Sequence, residues 1–450
     1  MRALAARSNR DGSSSIEDGE RSMATKLLWL ELAITVFLDT ANELLGFFGF
    51  PLVLGQLTRF CFLAINVIVI FEFGKRKETQ AVVLIFTFFA LMILREVSLG
   101  MSAMSYAAVY WAKFLLYVST FFAIKCAGSA GGITVDSIER FFKWSIMFIA
   151  PAFLVLAILG VLDQRSFDLG YEGSILSKNS MSVTLLLLFV VSLFLVFRKR
   201  LSFLWSIVVA VSLFLLGSKA TIAFALVIAL ACFFHELRRL SSRGLLTVGV
   251  MLAGICLALW LFWDSVSAVV GSQLQRYRYV LTQQDGSIAD YLLTGRGDLL
   301  EAGLTSFLDD LSLPFLIVGS GISTLSSGVA SFVDAAVAYR GIEMDIFEIA
   351  LASGIVGICV MLAPFVMSLG ALREYRTTDS FYLALGLLIT FGFMTLGGHV
   401  VTEGMPAAYF GTYLAYICML PGSENSHCSN SATTGTFQRN GGFEMDRIEG

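Results

Sequence analysis

Apolar residues in this chain come in long runs, not in the half-turn stripes of a water-soluble helix. Nine runs follow one another at roughly 27–47, 52–72, 80–98, 105–124, 144–162, 182–197, 201–216, 219–234 and 244–263. Three more follow at roughly 346–369, 381–398 and 405–420. A run of about 20 apolar residues matches the length a helix needs to cross a bilayer. The pattern predicts an all-α polytopic membrane protein with about 12 transmembrane helices.

The gap between the ninth and tenth runs, residues 264–345, is the longest stretch that no span claims. It holds ten carboxylates, four arginines (Arg276, Arg278, Arg296, Arg340) and no lysine. The chain therefore divides into a polar N-terminus (1–26), nine helices (27–263), a large loop (264–345), three helices (346–420) and a polar tail expected to be disordered (421–450). A loop of this length between buried helices is the first place to look for chemistry.

Composition agrees with the pattern. The chain is 57% hydrophobic and 14% charged, against about 25% charged for an average soluble domain. With a net charge of −3 and no basic stripe, nothing points to nucleic acid. Six of seven cysteines sit in or beside apolar runs, so no disulfide framework is expected. The three histidines (His235, His399, His427) are too scattered to form a metal site.

Lys and Arg placement gives the orientation. With the N-terminus inside and the spans alternating, 21 basic residues fall on the inner side and eight on the outer. Every short inner loop carries a cluster, such as Lys75-Arg76-Lys77 and Arg198-Lys199-Arg200. That is the positive-inside pattern. It places the large loop outside and both termini inside.

Some charges fall within the spans. Asp39, Glu43, Arg59 and Lys113 lie toward their outer halves. Intramembrane charges face protein or water and pair with one another. Pairing of Asp39 or Glu43 with Arg59 or Lys113 is the plain expectation; a polar floor under an outward cavity is the functional one. Lys219 follows Gly217-Ser218 at a corner between two short spans, with no room for a loop.

The large loop carries the candidate site. Asp298 and Glu301 have capping-box spacing, and Leu299, Leu300, Leu304, Phe307, Leu308 and Leu311 follow at helical spacing. These predict an amphipathic helix starting at Asp298 on the membrane-facing side of the loop. Arg296 precedes it, between Gly295 and Gly297. A guanidinium at a helix N-terminus suits a phosphate; pairing with a nearby acid is the alternative. Arg276 and Arg278 either bind the same anion or anchor the loop at the interface. Glu343 is a candidate general base. Asp345 shares that candidacy, although its spacing to Glu348 also fits a helix N-cap. His399, after Gly397-Gly398, offers a neutral imidazole for acid–base work or is an interfacial histidine.

Taken in order, these pieces resemble the O-antigen polymerase and O-antigen ligase group of bacterial inner-membrane proteins. Gly170-Tyr171-Glu172-Gly173, ending in Lys178-Asn179, resembles the group's approach to a span. Gly217-Ser218-Lys219-Ala220 resembles its "S-R-g" corner, with lysine for arginine. Thr294-Gly295-Arg296-Gly297 is similar to its "G-R" loop motif, and Val318-Gly319-Ser320-Gly321 to the "G-x-G" turn that follows. Gly354-Ile355-Val356-Gly357 resembles its "G-i-x-G". The likeness covers roughly 165–360 and the topology.

The resemblance implies a membrane-embedded, GT-C-like glycosyltransferase of the bacterial inner membrane. It implies glycans on undecaprenyl diphosphate as donor and acceptor, joined on the periplasmic face without a metal or other cofactor. It also implies a chain-length regulator and a flippase as protein partners. In that setting Arg276, Arg278, Arg296 and Lys219 would hold the diphosphate, and Glu343, Asp345 or His399 would act on the acceptor hydroxyl. The ligases resemble "H-[NSQ]" at the loop exit, where this chain has Glu343-Met344. That favours a repeat-unit polymerase. Two rivals are a ligase transferring polymer to lipid A core, and a transporter or flippase built on the intramembrane charges. Transporters often show internal repeats, and no matching halves are visible in this sequence.

Overall fold

The structure is a computed structural model. It describes residues 23–38, 54–158, 178–216, 218–238, 296–309, 311–332 and 342–434, with single-residue gaps, and shorter pieces between. Its elements are α1 (23–38), α2 (Leu54–Phe73), α3 (Arg76–Arg95), α4 (Met101–Ser129), α5 (Val135–Ile158), α6 (Lys178–Phe197), α7 (Phe203–Leu216) and α8 (Lys219–Arg238). After these come α9 (Arg296–Asp309), α10 (Leu313–Val318), α11 (Ile322–Phe332), α12 (Asp345–Glu374), α13 (Ser380–Leu396) and α14 (Gly404–Thr434). Apart from a two-residue antiparallel pair, Asp163–Gln164 with Tyr171–Glu172, the regular structure among the described residues is helical. A chain this apolar must satisfy its backbone internally within a bilayer, and helices do so.

Six described helices are long and apolar enough to cross a membrane: Gly55–Phe73, Arg76–Leu99, Met101–Ser129, Val135–Ala157, Asn179–Phe197 and Asp345–Glu374. Three apolar helices are shorter, at Phe203–Leu216, Ala220–His235 and Ser380–Leu396. In the expected ninth span, scattered positions between 242 and 271 are helical, and Leu246, Leu257, Trp260 and Trp263 are exposed. The first expected span is helical over 23–38; Asp39 and Glu43 lie outside the described residues. At the other end, α14 continues to Thr434 rather than ending near 420, so the polar tail begins as helix.

α4 is the central post. Its Trp111, Phe114, Tyr117 and Phe121 are buried. Tyr117 stacks on Phe410 of α14 with centroids 5.5 Å apart, and its hydroxyl donates to the Met361 carbonyl of α12 (3.0 Å). Gly411 sits against the Tyr117 carbonyl, where any side chain would hold the helices apart. α2 and α3 lie at the rim. They expose Leu57, Phe60, Ile68 and Phe71, and Leu84, Leu91 and Leu94, as helices facing lipid should.

The loops sort to two ends. At one end Lys125 pairs with Glu78, Arg198 with Glu139 (3.2 Å), and Arg200 with both Glu139 (2.6 Å) and Asp136. These belong to the basic clusters predicted to face inward. Arg200 holds its proton even more firmly than a free arginine, because Asp136 and then Glu139 accept hydrogen bonds from it. The opposite end gathers the start of α4, the helices of the large loop, the start of α12 and the α13–α14 turn.

The large loop departs from expectation in two ways. α9 begins at Arg296, so Asp298 lies inside the first turn instead of capping it. The inward face of α9 is Leu299, Ala302, Gly303 and Phe307. Gly303 lets α9 close on Ile342 and Leu351, a contact that a leucine stripe does not reveal. Leu304, Leu308 and Leu311 point outward and continue into exposed Leu313, Leu316 and Ile317. α12 is kinked at Gly354, whose φ of 62° suits glycine. The turn Gly319–Gly321 inserts there. Ser320 N–H donates to the Leu351 carbonyl (3.0 Å) and Gly321 N–H to the Ala352 carbonyl (2.9 Å). Carbonyls released by the kink thus regain partners. Arg95 braces the turn by donating to the Gly319 carbonyl (3.0 Å).

Candidate functional site

Asp345 is the first residue of α12, after Met344 at the cap position, and no side-chain hydrogen bond caps the helix. Its fully buried carboxylate turns to the α13–α14 turn instead. It accepts from Val400 N–H (2.5 Å), Val401 N–H (2.8 Å) and the Thr402 hydroxyl (2.5 Å), and lies 3.2 Å from His399 Nδ1. One carboxylate therefore organises the whole 399–402 segment, through charge-assisted bonds to otherwise unpaired backbone donors.

The His399 Nδ1 edge also meets Thr402 Oγ1 at 2.8 Å and stands 3.7 Å from Glu348. Burial disfavours the imidazolium, but Glu348, the hydrogen bond to Asp345 and Glu403 together outweigh it and raise the pKa to about 10. Near neutrality the ring is therefore a cation, whereas the sequence reading offered a neutral acid–base imidazole or an interfacial histidine. Nδ1 is committed, and Nε2 has no partner among the described residues. The ring is 18% exposed.

Arg296 projects from the first turn of α9 toward residue 343. Its Nε (3.1 Å) and Nη2 (3.0 Å) both donate to one Glu343 oxygen, and Nη1 donates to the Leu396 carbonyl at the end of α13 (3.4 Å). The arginine is mostly buried, 12% exposed, and Glu343 is 23% exposed. Glu343 has a left-handed backbone, φ 56°, between buried Ile342 and Met344.

The remaining wall comes from α4. Tyr106, Tyr110 and Lys113 lie at helical spacing on one face. Tyr110 stands within electrostatic reach of Glu348 and Asp345, and Lys113 pairs with Glu403 (3.3 Å). Asp39 and Glu43, the partners expected for Arg59 or Lys113, lie outside the described residues. Arg59 packs against Gly404, where a Cβ would collide with its guanidinium. Asn179, at the end of the Gly170-to-Asn179 motif, lies against Gly398, next to His399.

Four of the residues singled out from sequence, Arg296, Glu343, Asp345 and His399, are therefore gathered at one end of the bundle. Arg276 and Arg278 lie outside the described residues, and so does the side chain of Lys219, whose backbone opens α8. Sequence reasoning missed Glu403, Thr402, Tyr106 and Tyr110 as members. A signal for Glu403 was available: a carboxylate just before an apolar run is an intramembrane-edge charge, like those already counted. Among the described residues no group of three His, Cys, Asp or Glu is placed to hold a metal ion.

Chemically, the site is a nearly charge-balanced cluster. Arg296, Lys113 and protonated His399 face Glu343, Asp345, Glu348 and Glu403. It can grip an anion, orient a hydroxyl and accept a proton. No family model and no curated protein matches the chain.

Proposed function

We propose that this protein is a repeat-unit polymerase of bacterial surface polysaccharide, working at the outer face of the inner membrane. The observation that carries the reading is a convergence. Residues far apart in sequence, Asn179, Arg296, Glu343, Asp345 and His399, meet at one end of a helical bundle. They meet beside helices whose exposed leucines suit a lipid surface. A donor on a polyprenyl diphosphate has the matching shape, with a lipid tail, a diphosphate and a sugar in sequence.

On this reading the architecture is GT-C-like, with twelve spans and both termini cytoplasmic. Arg296 and His399 face the diphosphate, whose negative charge grows as the sugar leaves. Arginine keeps its charge at any working pH, and a histidine with a pKa of about 10 does so near neutrality. The acceptor hydroxyl attacks the anomeric carbon and its proton passes to a carboxylate. Glu343 is the more exposed of the two candidates. Asp345 is fully engaged by four donors and serves as the scaffold.

The experiment is the surface polysaccharide of a deletion strain. Lipopolysaccharide capped by single repeat units, restored to long chains by the wild-type gene, supports the polymerase. Long polymer retained on undecaprenyl diphosphate identifies a ligase, and absence of exported repeat units identifies a flippase.

A further inference from the structure

Arg296 spends its best edge on Glu343. Nε and Nη2 are the pair of donors that a guanidinium offers to a phosphate, and both point at one Glu343 oxygen (3.1 and 3.0 Å). A diphosphate cannot take that edge while the carboxylate holds it. We propose that Glu343 is a built-in stand-in for the donor diphosphate, displaced when the donor binds, and that displacement is what frees it to act as base. The proposal rests on the polymerase reading above.

The local construction suits such an exchange. Ile342 is buried under Gly303 of α9, and Asp345 is tied to the α13–α14 turn, so both flanks of Glu343 are fixed. Glu343 between them is partly exposed and holds a left-handed backbone, φ 56°, which disfavours a residue with a Cβ. Its side chain can swing without moving either anchor. Arg296 is the more constrained partner, because its side chain is mostly buried and Nη1 also donates to the Leu396 carbonyl (3.4 Å). The contact therefore breaks on the glutamate side.

The step balances. The acceptor oxygen forms a bond to the anomeric carbon, and the bond from that carbon to the phosphate oxygen breaks. The diphosphate leaves with the electron pair, held by Arg296. The acceptor proton passes to the Glu343 carboxylate and afterwards to water. Coupling base release to donor binding keeps the carboxylate neutralised until a donor is in place.

The test measures binding of inorganic diphosphate to the full-length protein in lipid nanodiscs. A competitor that occupies the site lowers apparent affinity by the fraction of time it does so. Glu343→Gln should bind diphosphate roughly tenfold more tightly than wild type while making no long polymer. Glu343→Gly, which suits the left-handed backbone, should show the same tightening. Arg296→Ala should lose binding. Equal or weaker binding by both Glu343 variants, with Arg296→Ala still losing it, overturns the exchange and leaves the diphosphate site standing. No binding by any form overturns the exchange and the polymerase reading together.

Discussion

Asp345 and His399 lie 3.2 Å apart, though α12 and α13 separate them in the chain. The carboxylate holds the imidazole by one nitrogen and the turn behind it by two backbone N–H groups. This is how the turn between α13 and α14 is given one shape.

Asp345→Asn should therefore destabilise the protein. The amide keeps the size but replaces an acceptor with a donor facing Val400 and Val401 N–H, or turns away and leaves them unpaired. A buried charge-assisted network broken this way costs about 3 kcal/mol. Thermal unfolding in detergent should show a clear fall in midpoint; a change within scatter would mean that the turn is held by something else.

His399 gives a pH dependence with a definite sign. Its folded pKa of about 10 lies above the ordinary value of 6.5. The native state thus holds a proton that the unfolded chain gives up. The stabilisation is complete below about pH 6.5 and is lost as pH rises toward 10. The groups facing it are Asp345, Glu348 and Glu403. Wild type should lose stability between pH 7 and 10 relative to His399→Gln, measured by melting at each pH. Parallel curves for the two proteins would contradict the imidazolium.

Lys113 and Glu403 join α4 to the start of α14 at 3.3 Å, with side chains about one quarter exposed. Solvent weakens such a pair, so the coupling should be about 1 kcal/mol in a double-mutant cycle of Lys113→Met and Glu403→Gln. The double variant should unfold later than additivity of the singles requires. Strict additivity would show that the two charges act independently.

Much of the framework was legible because membrane helices declare themselves by long apolar runs. α4, α6 and α12 lie where the runs put them. Arg296 was legible as an arginine between glycines at the start of a loop helix, and Glu343, Asp345 and His399 as polar groups at the ends of apolar runs. Their pairing was not. Asp345 has the spacing of an N-cap, and only the return of the chain at 399–402 supplies better partners. The inward face of α9 was hidden because Ala302 and Gly303 carry little hydrophobic signal, and close approach is the contribution of Gly303. The Lys113–Glu403 pair was hidden because Glu403 is 290 residues away in sequence, and no local pattern links them.

Arg296 carries the central claim. Its mostly buried guanidinium is held by Glu343 and the Leu396 carbonyl, and the proposed function assigns it the donor diphosphate. The decisive measurement is the length distribution of surface polysaccharide from a strain expressing Arg296→Ala at normal abundance. Losing a charged contact that strengthens in the transition state costs about 3–4 kcal/mol, or roughly 100- to 1,000-fold in rate. Long chains should vanish, and Arg296→Lys should restore them only in part, because an ammonium lacks the two-pronged planar contact. Wild-type chain lengths from a stably expressed Arg296→Ala protein would contradict the account.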